Sequence, residues 1–169
     1  MDNILLDIKF SDEGAEPVTP AEAKNWLKID DVTDDDALIV DLITSSRMHC
    51  EGYLNISLVN RTIVAYLNIG LGEMPLPYGP VIEVTDVSSI DGVTQITSYI
   101  LRYEVFKAID PAPEIKVTYT AGFAAAIPKN FKIAILNEIA WEYEHRGDGD
   151  AGDMSPEVKR MLKPYRRVL

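Results

Sequence analysis

Apolar positions along the chain change period twice, and each change marks a boundary. From Thr19 the pattern is helical. Thr19-Pro20-Ala21-Glu22 combines a capping threonine, a proline suited to the first helical position and a glutamate that completes a capping box. Ala23, Trp26 and Leu27 supply an apolar stripe behind it, and the helix is predicted to end near Lys28. A second helix is predicted to open at Thr33, with Asp34, Asp35 and Asp36 in its first turn, where the helix dipole favours anions. Ile39, Ile43, Ser46, Cys50 and Tyr53 continue it at helical spacing, flanked by Leu38 and Leu42, until Gly52 and Asn55 end it. The two form a helical hairpin.

At Arg61 the period becomes two. Ile63, Ala65, Leu67 and Ile69 alternate with more polar neighbours, as in a half-buried strand. Residues 70–80 are too rich in proline and glycine for a central strand. Val81–Ile90 resumes strand character, and Asp91-Gly92 suits a tight type I′ hairpin. Tyr99, Leu101, Tyr103 and Val105 alternate again, as do Ile115, Val117 and Tyr119, with Asp110–Pro113 as the turn between. Residues 59–120 therefore read as four to six antiparallel strands set between helices.

Helical period returns after Pro128. Ile135, Leu136, Ile139, Ala140 and Tyr143 form one stripe, while Phe131, Ala134 and Trp141 lie on another side beside Glu138, Glu142 and His145. Apolar groups on two sides require two covers. One is the chain's own core; the other is the β insertion or a neighbouring subunit, and Phe131, Ala134 and Trp141 are the candidate subunit interface. After the acidic loop Gly147–Asp153, Ser155-Pro156-Glu157 starts a last short helix with Val158, Met161 and Leu162 on its apolar side. Pro164 stops it, leaving a tail from Tyr165 onward. The predicted fold class is α+β: a helical body, made of the N-terminal hairpin and the C-terminal helices (18–58 and 124–169), with an inserted small antiparallel β subdomain (59–123) and an N-terminal arm (1–17).

Composition adds limits. With 169 residues, 47% of them hydrophobic, the chain can bury an adequate core without metal or disulfide support. Its one cysteine excludes an intrachain disulfide and a cysteine-rich zinc site. No apolar run reaches the roughly 20 residues that span a bilayer, and Asp2 stands where a signal peptide carries positive charge, so no membrane partner and a reducing cytoplasm are expected. Net charge is −11, unevenly spread. Residues 155–169 set one acid against five bases, whereas residues 1–60 set 13 acids against 4 bases. An acidic body repels phosphate backbones, which argues against a protein that grips DNA. The basic end suits an acidic partner surface or another copy of the same body, and equally a helix end with its cations near the C-terminus.

Candidate chemistry fails on specific requirements. Glu142-Tyr143-Glu144-His145 fits the Glu-x-x-His pair of di-iron bundles, but the only other histidine, His49, has Ser46 where the second glutamate belongs. This favours a solvated helix end. Asp148, Asp150 and Asp153 are spaced like a calcium loop, yet Gly152, Asp153 and Lys159 break its pattern. His49-Cys50 is too isolated for a nucleophile pair. No phosphate-binding or nucleophile-elbow motif occurs. No catalytic residue, metal ligand or cofactor is assigned, and no enzyme is expected.

The order of the parts carries a resemblance. Thr-Pro-Ala-Glu-Ala-Lys-x-x-Leu-Lys leads to Asp-Asp-Asp-Ala-Leu-Ile and a helix ending Cys-Glu-Gly-Tyr. Met-Pro-Leu-Pro, Val81-Ile82-Glu83-Val84 and Asp91-Gly92 follow. Val117-Thr118-Tyr119-Thr120-Ala121-Gly122-Phe123, Ile127-Pro128, Trp141-Glu142-Tyr143-Glu144 and Leu162-Lys163-Pro164-Tyr165-Arg166-Arg167 complete the series. From about Val18 to Val168 the chain resembles the head–tail connector (adaptor, or head-completion) proteins of tailed bacteriophages and prophages. The resemblance implies a structural virion-assembly protein of the neck, made in the bacterial host cytoplasm. It would form a ring, commonly of twelve subunits, that docks on the portal protein after DNA packaging, extends the DNA channel and carries the next neck or tail protein. DNA would pass through without specific binding, and the isolated subunit is compatible with a monomer. Carried over, it points to Lys159, Arg160, Lys163, Tyr165, Arg166 and Arg167 as portal contacts. The acidic loop departs from the pattern. The alternatives are another neck or tail-completion protein and, from a different class, a small metal-dependent hydrolase using Asp148, Asp150 or Glu142.

Overall fold

The structure, a computed structural model, describes all residues except 1–3, 13, 31–32, 70–71, 110–113, 124–125, 148–152 and 168–169. The fold is α+β, and the chain divides into two compact units, one from Met1–Ala15 with Val59–Ala124 and one from Glu16–Leu58 with Ala125–Val168. None of the described helices is long and apolar enough to cross a membrane.

The first unit holds two antiparallel sheets. Strands β1 (Ile4–Asp12), β2 (Arg61–Asn68), β4 (Val81–Ser89) and β7 (Glu114–Ala121) form one, in the order β1-β2-β7-β4. Strands β3 (Glu73–Pro75), β5 (Tyr99–Arg102) and β6 (Val105–Ala108) form the other, in the order β3-β6-β5. The period-two pattern of β2 places Ile63, Ala65 and Leu67 on its buried face, where they stand opposite Tyr119, Val117 and Ile115 of β7. Phe106, Ala108, Met74 and Leu76 pack into the same core. Phe106 stacks on Tyr99 at 5.3 Å, and the buried Tyr119 hydroxyl donates to the Pro77 carbonyl at 2.6 Å, so its polar end costs nothing.

Three local expectations are corrected here. Much of the segment expected to be an N-terminal arm is strand β1, paired with β2 from Ile4↔Asn68 to Asp12↔Arg61. A register shift between Leu5 and Asp7 breaks its alternation, which is why the period does not show in the sequence. Second, Tyr99–Val105 is a hairpin, not one strand. Arg102 pairs with Val105 across a two-residue turn in which Tyr103 and Glu104 both take positive φ (51° and 66°), the geometry of a type I′ turn on side chains that rarely adopt it. Glu104 is held from both ends: its carbonyl accepts from Leu76 and its carboxylate from the Val81 N–H. Third, Asp91-Gly92 is not a type I′ pair. Of the two only Gly92 has positive φ, and its N–H closes the turn on the Ser89 carbonyl.

The helical unit contains α1 (Pro20–Leu27), α2 (Asp36–Leu54), α3 (Lys129–Glu144), α4 (Pro156–Leu162) and a 3-10 turn at Lys163–Tyr165. The capping box on α1 is complete in both directions between Thr19 and Glu22. Helix α2 begins three residues later than expected, because the Asp35 carboxylate is engaged elsewhere, accepting from the Tyr143 hydroxyl (2.6 Å) and Arg146 (3.3 Å). Ile39, Ile43, Ser46, Cys50 and Leu54 line its buried side. On α3 the two expected stripes merge into one broad buried face of Phe131, Ala134, Ile135, Glu138, Ile139 and Glu142.

Candidate functional site

The buried faces of α2 and α3 carry charge, and that charge is organised. Arg47, almost fully enclosed, donates from Nε to both Glu16 oxygens (2.9 and 3.1 Å) and from its terminal nitrogen to Glu51 at 2.7 Å. Glu51 is buried too, and its other oxygen accepts the Leu58 N–H at 2.6 Å. Such a group is stable only while each charge keeps its partners.

Two residues on from Arg47 along α2, and so on another side of the helix, His49 faces α3. Its Nδ1 lies 2.9 Å from Glu142 Oε1 and 3.3 Å from Glu138 Oε1. Glu138 is wholly buried and Glu142 nearly so, while about a third of the His49 side chain (32%) is exposed. Hydrogen bonding to Glu138 and then to Glu142 raises the His49 pKa to about 10 against the opposing effect of burial. The Ser155 N–H, at the start of α4, reaches both Glu138 oxygens (3.1 and 3.3 Å), and the Ser45 hydroxyl stands 3.4 Å from Glu142 Oε1. Ligand-capable atoms of His49, Glu138 and Glu142 all lie within 4.8 Å of one another.

This arrangement corrects the expectation of a solvated helix end at Glu142. It also explains why the local sequence around His49 hides its role: its carboxylates come from a different helix, 89 and 93 residues away in sequence, not from Ser46 on its own. The legible signal is Glu138 and Glu142, two carboxylates four residues apart on the face that also carries Ile135 and Ile139. His145 takes no part; it stacks on Trp141 at 3.7 Å and bonds its carbonyl. Cys50 is buried beside the group. Burial, helped by Glu138, Glu51 and Glu142, pushes its thiol far above the ordinary range, which leaves it an unreactive thiol at neutral pH.

Of the side chains expected to meet a neighbouring subunit, Phe131 (5% exposed) and Ala134 (0%) are enclosed by the chain itself. The second cover on α3 is partly the C-terminal segment: Tyr165 meets the Phe131 ring edge-on at 5.4 Å. Trp141 alone keeps appreciable exposure. Among the basic candidates, Arg160, Lys163 and Arg166 are exposed, Tyr165 is half exposed, and Lys159 and Arg167 are half-buried. The segment is no loose tail. Arg167 donates its N–H to the Leu54 carbonyl (2.9 Å), its carbonyl accepts from Asn55 (2.9 Å), and the Arg166 guanidinium lies over Tyr53. Asp148 and Asp150 lie outside the described residues; Asp153 is exposed.

No protein-family model matches the chain, and no curated protein sequence does. Solved structures do. The chain is similar to one in the neck of an empty gene transfer agent (GTA) particle computed with C6 symmetry, with TM-score 0.72 and 24% identity. It is also similar to one in the virion of a native GTA particle (0.69, 24%) and to one in the neck of a native GTA particle computed with C12 symmetry (0.64, 23%). Each likeness covers 95% of this chain and 97% of the other. The fold is therefore shared over almost the whole chain with chains of GTA particles.

Proposed function

We propose that this chain is a structural subunit of the neck of a tailed phage or phage-like particle, a connector that works as a ring of identical copies. The carrying observation is the near-complete, two-way coverage of its fold by a chain from a particle neck. Neck reconstructions with sixfold and twelvefold symmetry support a ring. A closed ring needs two different patches on each subunit.

In this reading the ring docks under the portal once DNA is packaged, continues the channel and presents a surface to the next neck or tail protein. The net charge of −11 suits a body that must not hold passing DNA, since phosphate affinity comes from Lys and Arg. The portal contact is the cationic surface of the C-terminal segment, with Arg160, Lys163 and Arg166 outermost and Tyr165 between them. The chemistry is contact, with no substrate turned over.

Truncation is the wrong test, because Val158 and Leu162 of α4 are fully buried and their removal would open the helical core. Charge reversal is the right one. The triple variant Arg160→Glu, Lys163→Glu, Arg166→Glu is expected to keep its circular dichroism spectrum and lose co-sedimentation with portal rings. Undiminished portal binding would refute the docking assignment. A ring that binds tail components and ignores the portal would make the chain a different neck component.

A further inference from the structure

The cluster of His49, Glu138 and Glu142 has the makings of more than an ion pair, and its value does not depend on the neck reading. Two carboxylate oxygens converge on the same ring nitrogen, at 2.9 and 3.3 Å. A single N–H points along one line and cannot satisfy both fully. A cation at that point of convergence can bond all three atoms. Around an ion with bonds of about 2.0–2.2 Å, neighbouring ligand atoms stand about 2.8–3.1 Å apart at octahedral angles and about 3.3–3.6 Å apart at tetrahedral ones. Two edges of such a shell are thus already at ligand spacing, and all three atoms lie within 4.8 Å.

Charge points the same way. Two enclosed carboxylates face one imidazole, so even a protonated ring leaves one negative charge over. Arg47, the buried cation on the same helix, is bonded to Glu16 and Glu51. A divalent ion that displaces the Nδ1 proton of His49 to solvent would bring the cluster to zero, which matters where water is excluded. The outer partners are also in place: the Ser155 N–H orients Glu138, and the Ser45 hydroxyl stands beside Glu142.

We propose that His49, Glu138 and Glu142 form a structural site for a divalent transition-metal ion that ties α2 to α3. One imidazole and two carboxylates suit zinc or manganese(II), and three protein ligands leave room for water. The partly exposed edge of His49 is the way in. Because Ser155 begins α4, an ion that fixes Glu138 also fixes the start of the C-terminal segment.

The test uses the full-length, untagged protein, stripped with chelator and titrated calorimetrically with zinc chloride and, separately, manganese chloride. At least one ion is expected to bind with one equivalent and to raise the melting temperature. His49→Gln and Glu142→Gln should each weaken binding by about tenfold or more, with the helical spectrum retained. His145→Gln, at the histidine outside the cluster, should bind as the parent does. Absence of saturable binding for both ions would overturn the proposal. So would binding that survives His49→Gln, or that is lost with His145→Gln. Should Glu142→Gln fail to fold, the His49 variant, at a partly exposed position, decides between these outcomes.

Discussion

Replacing Arg47 by methionine tests the electrostatics of the helical unit at its most exacting point. Arg47 is 2% exposed and holds Glu16 and Glu51 at once. Methionine fills much of the same space, so the packing loss is small and the change is chiefly one of charge. It leaves the buried Glu51 carboxyl without the Arg47 guanidinium, with the Leu58 N–H on its other oxygen. Removing one partner of a buried pair costs about 3–5 kcal/mol. At roughly 2–4 °C per kcal/mol for a chain of this size, the melting temperature should fall by about 6–20 °C. The companion Arg47→Met, Glu51→Leu removes both charges and should recover part of the loss but not all of it, because the buried Leu58 N–H then loses its acceptor. Urea unfolding followed by tryptophan fluorescence, with all members of the cycle in one buffer, measures both. A single-variant loss under about 1 kcal/mol would mean that water reaches Glu51, and the reasoning would fail.

Three further outcomes are expected. Thr19→Ala removes one half of the capping box and should cost about 1 kcal/mol, seen as a small drop in melting temperature. Glu22 is held down to about pH 2, first by Lys132 and then by the Thr19 N–H. Its contribution is therefore complete above the ordinary value of 4.5 and disappears as pH falls through about 2; an acid melt of Glu22→Gln should show a shallower loss over that window. Gly122→Ala should destabilise the β unit by about 1–3 kcal/mol or more, because φ is 126° and a Cβ would stand 2.5 Å from the Val59 carbonyl oxygen and 2.8 Å from the Asn60 Cα.

What could be read from the sequence was what local chemistry decides. The box at Thr19 and Glu22, the alternation of β2 and β7 and the left-handed stop at Asn55 are all set by neighbours within a few residues. Gly122 belongs here too: the Ala-Gly-Phe element that helped carry the resemblance has a steric reason, since only glycine fits against Val59 and Asn60. Tertiary partners decided the rest. Asp35 is drawn out of the first turn of α2 by Tyr143 and Arg146 from the far end of α3. Strand β1 is hidden by its register shift. The turn at Tyr103 and Glu104 has none of the usual residues, because Glu104 is secured by Leu76 and Val81 instead. The charged cluster was legible only in part for the same reason: Glu138 and Glu142 share a face of α3, but nothing local points to His49. Each of its members has an ordinary place on its own helix, and only the packing of α2 on α3 brings them to one point.

The proposed place of the chain in a particle is best examined by cryo-electron microscopy of purified particles from a host that produces it, with the neck reconstructed. Density for several copies of this fold, arranged as a ring against the portal with Arg160, Lys163 and Arg166 at the contact, is the predicted result. A neck built without this chain, or particles that lack it altogether, would contradict the account.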